Sequence, residues 1–235
     1  MNPETQEALR NLLIGFPVFL FALSFHEAAH AIVAKWGGDL TSAYQGRITL
    51  NPIAHIHPVG TIIIPIIAVL QNFPLIGWAK PVPVVESNYR RGRGYGVIVA
   101  LAGPFSNLLL ALVTVVLMQC YYLARIMLFQ RGVDIPDNVH GIVGHILSYS
   151  LLINLVLMFF NLLPIPPLDG SHVLWHGFVK SRPQFHQAFA TVQTFSYFVL
   201  ILIFVTPLGR IFYSATVLPA YRALSTLAQM PVYLL

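Results

Sequence analysis

Long apolar runs, separated by short polar, basic or proline-rich stretches, organise the chain. Four of them, at about 11–36, 95–124, 146–168 and 187–206, are each long enough to cross a bilayer, since about 30 Å of hydrocarbon takes about 20 helical residues. A fifth, 59–78, is weaker: its core TIIIPIIAVL is short, flanked by Pro58 and Pro74 and broken by Pro65. The tail 207–235 follows Thr206-Pro207-Leu208-Gly209 and continues as a moderately apolar helix carrying Arg210 and Arg222. It suits either a last span or an interfacial helix. The pattern predicts an all-α polytopic membrane protein with about five to six membrane segments. It forms one domain over 1–235, with core helices at about 11–36, 95–124 and 146–168.

Composition agrees. Hydrophobic residues make up 57% of the chain and charged residues 9%, with mean hydropathy +0.73; soluble domains carry about 25% charged residues. There is too little polar surface for a water-soluble globule. The first apolar run continues past any small-residue cleavage site and is read as a retained helix. The net charge of +5 is dispersed over loops, without the dense basic patch that nucleic acid requires. The single cysteine, Cys120, can form no internal disulfide.

Basic residues set the expected orientation. With the N-terminus outside and 59–78 entering and leaving on one side, the inner segments collect Lys35, Arg47, Lys80, Arg90, Arg91, Arg93, Lys180 and Arg182. The outer segments keep Arg10, Arg125 and Arg131. A full crossing by 59–78 would put the cluster from Lys80 to Arg93 on the wrong side. The segment is therefore read as re-entrant, which requires protein or a water-filled cavity to satisfy its backbone. Before it, GRITL mixes β-branched and polar residues ahead of Asn51-Pro52, predicting a short strand or hairpin.

Inside the first run stands SFHEAAHAIVA, residues 24–34. An ionised carboxylate at a helix centre costs roughly 2.5–3.5 kcal/mol even on lenient insertion scales, so Glu27 needs a reason. His26 and His30 are at i and i+4, one turn apart on one helix face. This spacing lets two imidazoles hold one zinc while the neighbouring carboxylate stands off as general base. Catalytic zinc takes a third protein ligand and keeps an open position. Of the eight acids, only Glu27 and Asp169 lie at or near apolar runs. Asp169 closes FNLLPIPPLDGSHVL, where Pro164, Pro166 and Pro167 unwind the chain and Gly170 permits a sharp turn. In the expected topology Asp169 and the His26/His30 pair share one depth in the inner half of the bilayer.

FHEAAH together with NLLPIPPLDG resembles the site-2 protease family of intramembrane zinc metalloproteases. LNPIAHIHPVGT, GWAKPVPV and LAGPFSN resemble its compact prokaryotic branch, which lacks a PDZ domain. The resemblance covers 24–34, 46–61, 77–84, 101–107 and 154–172, in family order. It implies that His26, His30 and Asp169 bind one zinc and that Glu27 is the catalytic base. One departure stands out: the branch commonly reads His-Ile-Asp-Pro where this chain has His55-Ile56-His57-Pro58.

Three further side chains are candidates for substrate or oxyanion binding: Asn161, eight residues before Asp169; Asn107, in Gly103-Pro104-x-x-Asn107; and His55. Amides can hydrogen-bond an extended peptide or a tetrahedral oxyanion, and they also join helices. The latter reading is preferred for Asn154. His172 and His176 are read as helix surface or support.

The expected activity is zinc-dependent hydrolysis of peptide bonds within or near transmembrane segments. The expected substrate is a single-span membrane protein or signal-peptide remnant, cut first by an upstream site-1-type protease. An extended substrate would pair by its edge with a strand near GRITL. The expected location is the prokaryotic cell membrane, with the site towards the cytoplasm. Two rivals are a catalytically inactive scaffold for transmembrane segments and a transporter with a buried His/Glu/Asp relay. The second needs polar residues scattered at matching depths through several helices, which the sequence lacks outside the two motifs.

Overall fold

The computed structural model describes residues 3–70, 77–90, 92 and 94–229. Residues 71–76 of the 59–78 segment with Pro74, Arg91 and Arg93 of the basic cluster, and residues 230–235 of the tail lie outside the described residues.

Among the described residues, three helices are long and apolar enough to cross a membrane. These are α1 (Pro3–Gly37, apolar over Leu9–Gly37), α4 (Tyr95–Gln130) and α5 (Asp137–Asn161). Helix α7 (His186–Val205) follows the fourth apolar run, and the tail forms α8 (Pro207–Phe212) and α9 (Leu218–Gln229), joined by a π-helical turn. The short helices α2 (Thr41–Tyr44), α3 (Ile64–Leu70) and α6 (Asp169–Leu174) complete the α-helices among the described residues, beside short 3-10 and π-helical turns.

One face of helix α1 buries Phe19, Ala22, Leu23, His26, His30 and Ala34, and Ser24, Ala28 and Ala31 are buried on another. In lipid, helices associate by close packing, and small residues allow it. Ala22, Ala31 and Ala34 are fully buried. At the end of α1 a Cβ on Gly37 would lie 2.1 Å from a Tyr95 ring carbon, so α1 presses directly on the start of α4. A second cluster joins α4, α5 and the tail through Ala111, Val115, Leu151, Leu155, Val217 and Ala228. Three helices thus bundle around the polar notch in α1.

The segment between α1 and α4 returns to where it began. A π-helical turn, Pro58–Ile63, leads into α3, and residues 77–85 lie back against the turn without helix or strand. Trp78 N–H donates to Gly60 O at 3.1 Å and Lys80 N–H to His55 O at 2.8 Å. The chain then runs along α1: Val85 N–H reaches Asp39 Oδ2 at 2.7 Å and Arg90 N–H reaches Gly37 O at 2.8 Å.

The strand expected at GRITL is not realised; among the described residues there is no strand. Residues 46–50 run as turns and bends because their polar groups bond within the loop. Arg47 donates to Ala54 O, and His55 Nε2 pairs with Thr49 O at 2.9 Å.

Candidate metal centre

His26 and His30 face each other across one turn of α1, Nε2 to Nε2 at 3.1 Å. Asp169 joins them from the start of α6: Oδ2 lies 3.1 Å from His26 Nε2 and Oδ1 3.3 Å from His30 Nε2. Among the described residues this is the one group of three or more such side chains able to share an ion, with all ligand atoms within 4.8 Å of one another.

The donor set fits zinc. Tetrahedral coordination at about 2.0–2.1 Å spaces nitrogen and oxygen ligands about 3.3 Å apart, close to the three separations observed. His30 Nδ1 donates to Val99 O at 2.7 Å; a carbonyl only accepts, so His30 in its neutral form presents a bare Nε2. Asp169 Oδ2 is buried yet accepts no hydrogen bond. Acceptors that converge on one point without a donor call for a cation between them.

Two glycines make the convergence possible. A Cβ on Gly103 would sit 2.3 Å from His30 Nε2 and 2.5 Å from His26 Nε2, so α4 passes the histidines with nothing but backbone. A Cβ on Gly170 would meet Leu162 O at 2.3 Å, so the proline-rich turn folds tightly under Asp169. The turn carries Asp169 back to α1 because Pro164, Pro166 and Pro167 cannot continue α5.

Glu27 is half-buried beside this group, and its Oε2 accepts from Val82 N–H at 3.0 Å. Asp39, fully buried, ties the end of α1 to the same returning segment. Burial pushes its carboxyl up, but hydrogen bonds from Asn88, from the Thr41 hydroxyl and from the Val85 and Thr41 amides outweigh this and hold it below its usual range.

The remaining sequence candidates are placed as follows. Asn107 is fully buried, with Oδ1 on His26 Nδ1 at 2.6 Å and Nδ2 on Asn154 Oδ1 at 2.9 Å. Its contact is with a candidate ligand rather than with open space. Asn161 ends α5 and donates from Nδ2 to Leu157 O at 2.9 Å. His55 is buried in the 46–55 loop and is not part of the three-residue group. His57 Nδ1 accepts from Gly60 N–H at 3.0 Å, capping the π-helical turn. Since an aspartate there could accept the same bond, the departure from the common pattern preserves an acceptor. His176 pairs with Glu86 at 3.3 Å; burial pushes its imidazole down, helped by Lys180 and His172 and opposed by Glu86.

Val82, Val99 and Gly103 were invisible as site residues in the sequence. Two act through backbone groups and the third through the lack of a side chain. The Gly103-Pro104 pair inside an apolar run was the one available signal.

Comparison with known proteins points the same way. The sequence profile of peptidase family M50 matches residues 121–203. The chain is 39% identical over 202 residues to "Putative zinc metalloprotease YwhC" of Bacillus subtilis, covering 84% of this chain and 83% of that protein. It is 26% identical over 196 residues to "Putative zinc metalloprotease Rip2" of Mycolicibacterium smegmatis, covering 83% and 68%. No solved structure matches the chain.

Proposed function

Because the chain belongs to peptidase family M50, the site-2 protease type, and is a zinc metalloprotease with helices apolar enough to cross a membrane, we propose that it cleaves peptide bonds within or near transmembrane segments. The observation that carries this reading is the convergence of His26 Nε2, His30 Nε2 and the Asp169 carboxylate inside an apolar bundle: the nitrogens are 3.1 Å apart, with Asp169 Oδ2 3.1 Å from His26 and Oδ1 3.3 Å from His30. His26, His30 and Asp169 hold the zinc. When bound, zinc supplies a Lewis acid for the scissile carbonyl and acidifies water to a pKa of about 7.

Glu27 is the general base. Val82 N–H orients its carboxylate, which takes a proton from the attacking water and delivers it to the leaving nitrogen. A helical peptide bond is hydrogen-bonded and hidden, so the substrate unwinds before attack. The irregular 46–55 loop offers it no strand edge, and in the stretch beside Glu27 Pro81 and Pro83 flank Val82, whose amide Glu27 already accepts. Asn161, at the inner end of α5, remains the side chain proposed to meet the substrate.

The domain is one unit over 1–235 with five to six membrane segments, counting α7, the tail and a re-entrant 59–78. The paired hydrogen bonds of Trp78 with Gly60 and of Lys80 with His55 support re-entrance. The protein sits in the cell membrane, N-terminus outside and site towards the cytoplasm. Its substrates are single-span proteins or signal-peptide remnants left by an earlier cut.

The test is cleavage of a panel of single-span peptides in liposomes, with zinc quantified, wild type against Glu27→Gln. Loss of a general base removes about 10²–10⁴-fold in rate. The variant should keep about one zinc and stop cutting. Equal cutting by both proteins refutes the base, and an absence of zinc in both refutes the site.

A further inference from the structure

A line of buried amides leads from His26 into the bundle, and its direction is fixed at the far end. Asn107 on α4 and Asn154 on α5 are both buried. Asn154 Nδ2 donates to Ser150 O at 2.8 Å. That acceptor is a main-chain carbonyl and can only accept, so Asn154 must turn its NH₂ there and its Oδ1 towards Asn107. Asn107 then donates from Nδ2 to that Oδ1 at 2.9 Å, and the same Nδ2 lies 3.4 Å from a second main-chain acceptor, Ala22 O. Its Oδ1 is left facing His26 Nδ1 at 2.6 Å. His26 must donate there, so its neutral ring carries hydrogen on Nδ1 and a bare lone pair on Nε2. His30 reaches the same state in one step, through Val99 O.

We propose that Asn107 and Asn154 are positioning residues for zinc: a two-amide relay, anchored on Ser150 O, that fixes the tautomer and ring orientation of His26. Asn154 acts through Asn107 and touches no candidate ligand. Hydrogen-bond partners behind metal-binding histidines are worth 10–100-fold in metal affinity. The competing role is plain joining of α4 to α5, for which buried amides are also used.

The two roles separate because α4 and α5 share another polar contact unconnected to His26. Thr114 Oγ1 and Ser150 Oγ lie 2.9 Å apart. Thr114→Val removes that contact and leaves the relay untouched.

The inference rests on the zinc assignment above, and wild-type zinc binding, measured first in the same titration, tells failure of that assignment from failure of this one. The experiment is chelator competition with zinc on purified full-length protein, alongside melting of the metal-free protein. Asn107→Leu should weaken zinc by roughly 10–100-fold and Asn154→Leu by about tenfold. Asn107→Asp keeps an acceptor for His26 Nδ1 and should bind zinc within about threefold of wild type or more tightly, although its melting falls because Asn154 loses a donor. Thr114→Val should lower melting alone. If Asn107→Leu and Asn154→Leu lower melting but leave zinc affinity within threefold of wild type, the amides only join helices. If Asn107→Asp binds zinc as poorly as Asn107→Leu, the acceptor role is wrong. Should the Asn107→Leu protein not fold, Asn154→Leu and Asn107→Asp decide the question.

Discussion

One methyl group added at Gly103 should disable zinc binding. Its Cβ would lie 2.3 Å from His30 Nε2 and 2.5 Å from His26 Nε2, whereas ordinary contact begins at 3.4 Å. The rings must therefore retreat by roughly 1 Å, while metal–ligand distances tolerate about 0.2 Å. Neither ring can retreat freely, because Asn107 holds His26 by Nδ1 and Val99 holds His30 in the same way. Moving α4 instead would disturb the packing of Tyr95 and Val99 against Ala34, an overpacking cost of about 1–3 kcal/mol. Gly103→Ala should weaken zinc by at least about 100-fold, the top of the range for changes behind the ligands. Chelator competition measures it. Gly141→Ala is the control, since nothing lies within 4 Å of a Cβ there; it should leave zinc binding unchanged. A Gly103→Ala protein that melts like wild type and binds zinc within threefold of it would refute the converging geometry.

Three further outcomes are expected. Removing zinc should lower the melting temperature, and restoring it at about 100 times its dissociation constant should return about 2.7 kcal/mol; an unchanged melt would mean that the site does not bind the folded state preferentially. Asp39 has a folded pKa below its unfolded value, so its stabilisation is present above about pH 3.9 and is lost as pH falls through the folded value. Wild type should lose more stability than Asp39→Asn across that window, and parallel stability profiles would refute the assignment. His57→Leu removes the cap on Gly60 N–H and should cost about 1 kcal/mol, as lost helix caps do. His57→Asp should restore it, and equal melting of both variants would sink the capping role.

The candidate ligands were legible because their chemistry is local. An i, i+4 histidine pair shares a face whatever surrounds it, and the prolines before Asp169 announce an unwound chain from composition alone. The relay was not legible, because the partner of Asn107 is chosen by helix packing across 47 residues of sequence. The strand at GRITL was misjudged for the same reason: its β-branched residues suit a strand, but the partners of Arg47 and Thr49 lie inside its own loop. Gly103 shows the limit most plainly, since it contributes room for two histidines from another helix.

The returning segment has a consequence for whatever lies beside it. Val82 sits between Pro81 and Pro83 and supplies the one amide hydrogen of the three, which Glu27 accepts. A neighbouring peptide would find oxygens to donate to along this stretch but no hydrogen to accept. Prolines blunt an edge against pairing, so a second copy of the chain cannot dock here by sharing backbone bonds. The base thereby keeps its partner on a stretch of chain that other strands have little means to pull away.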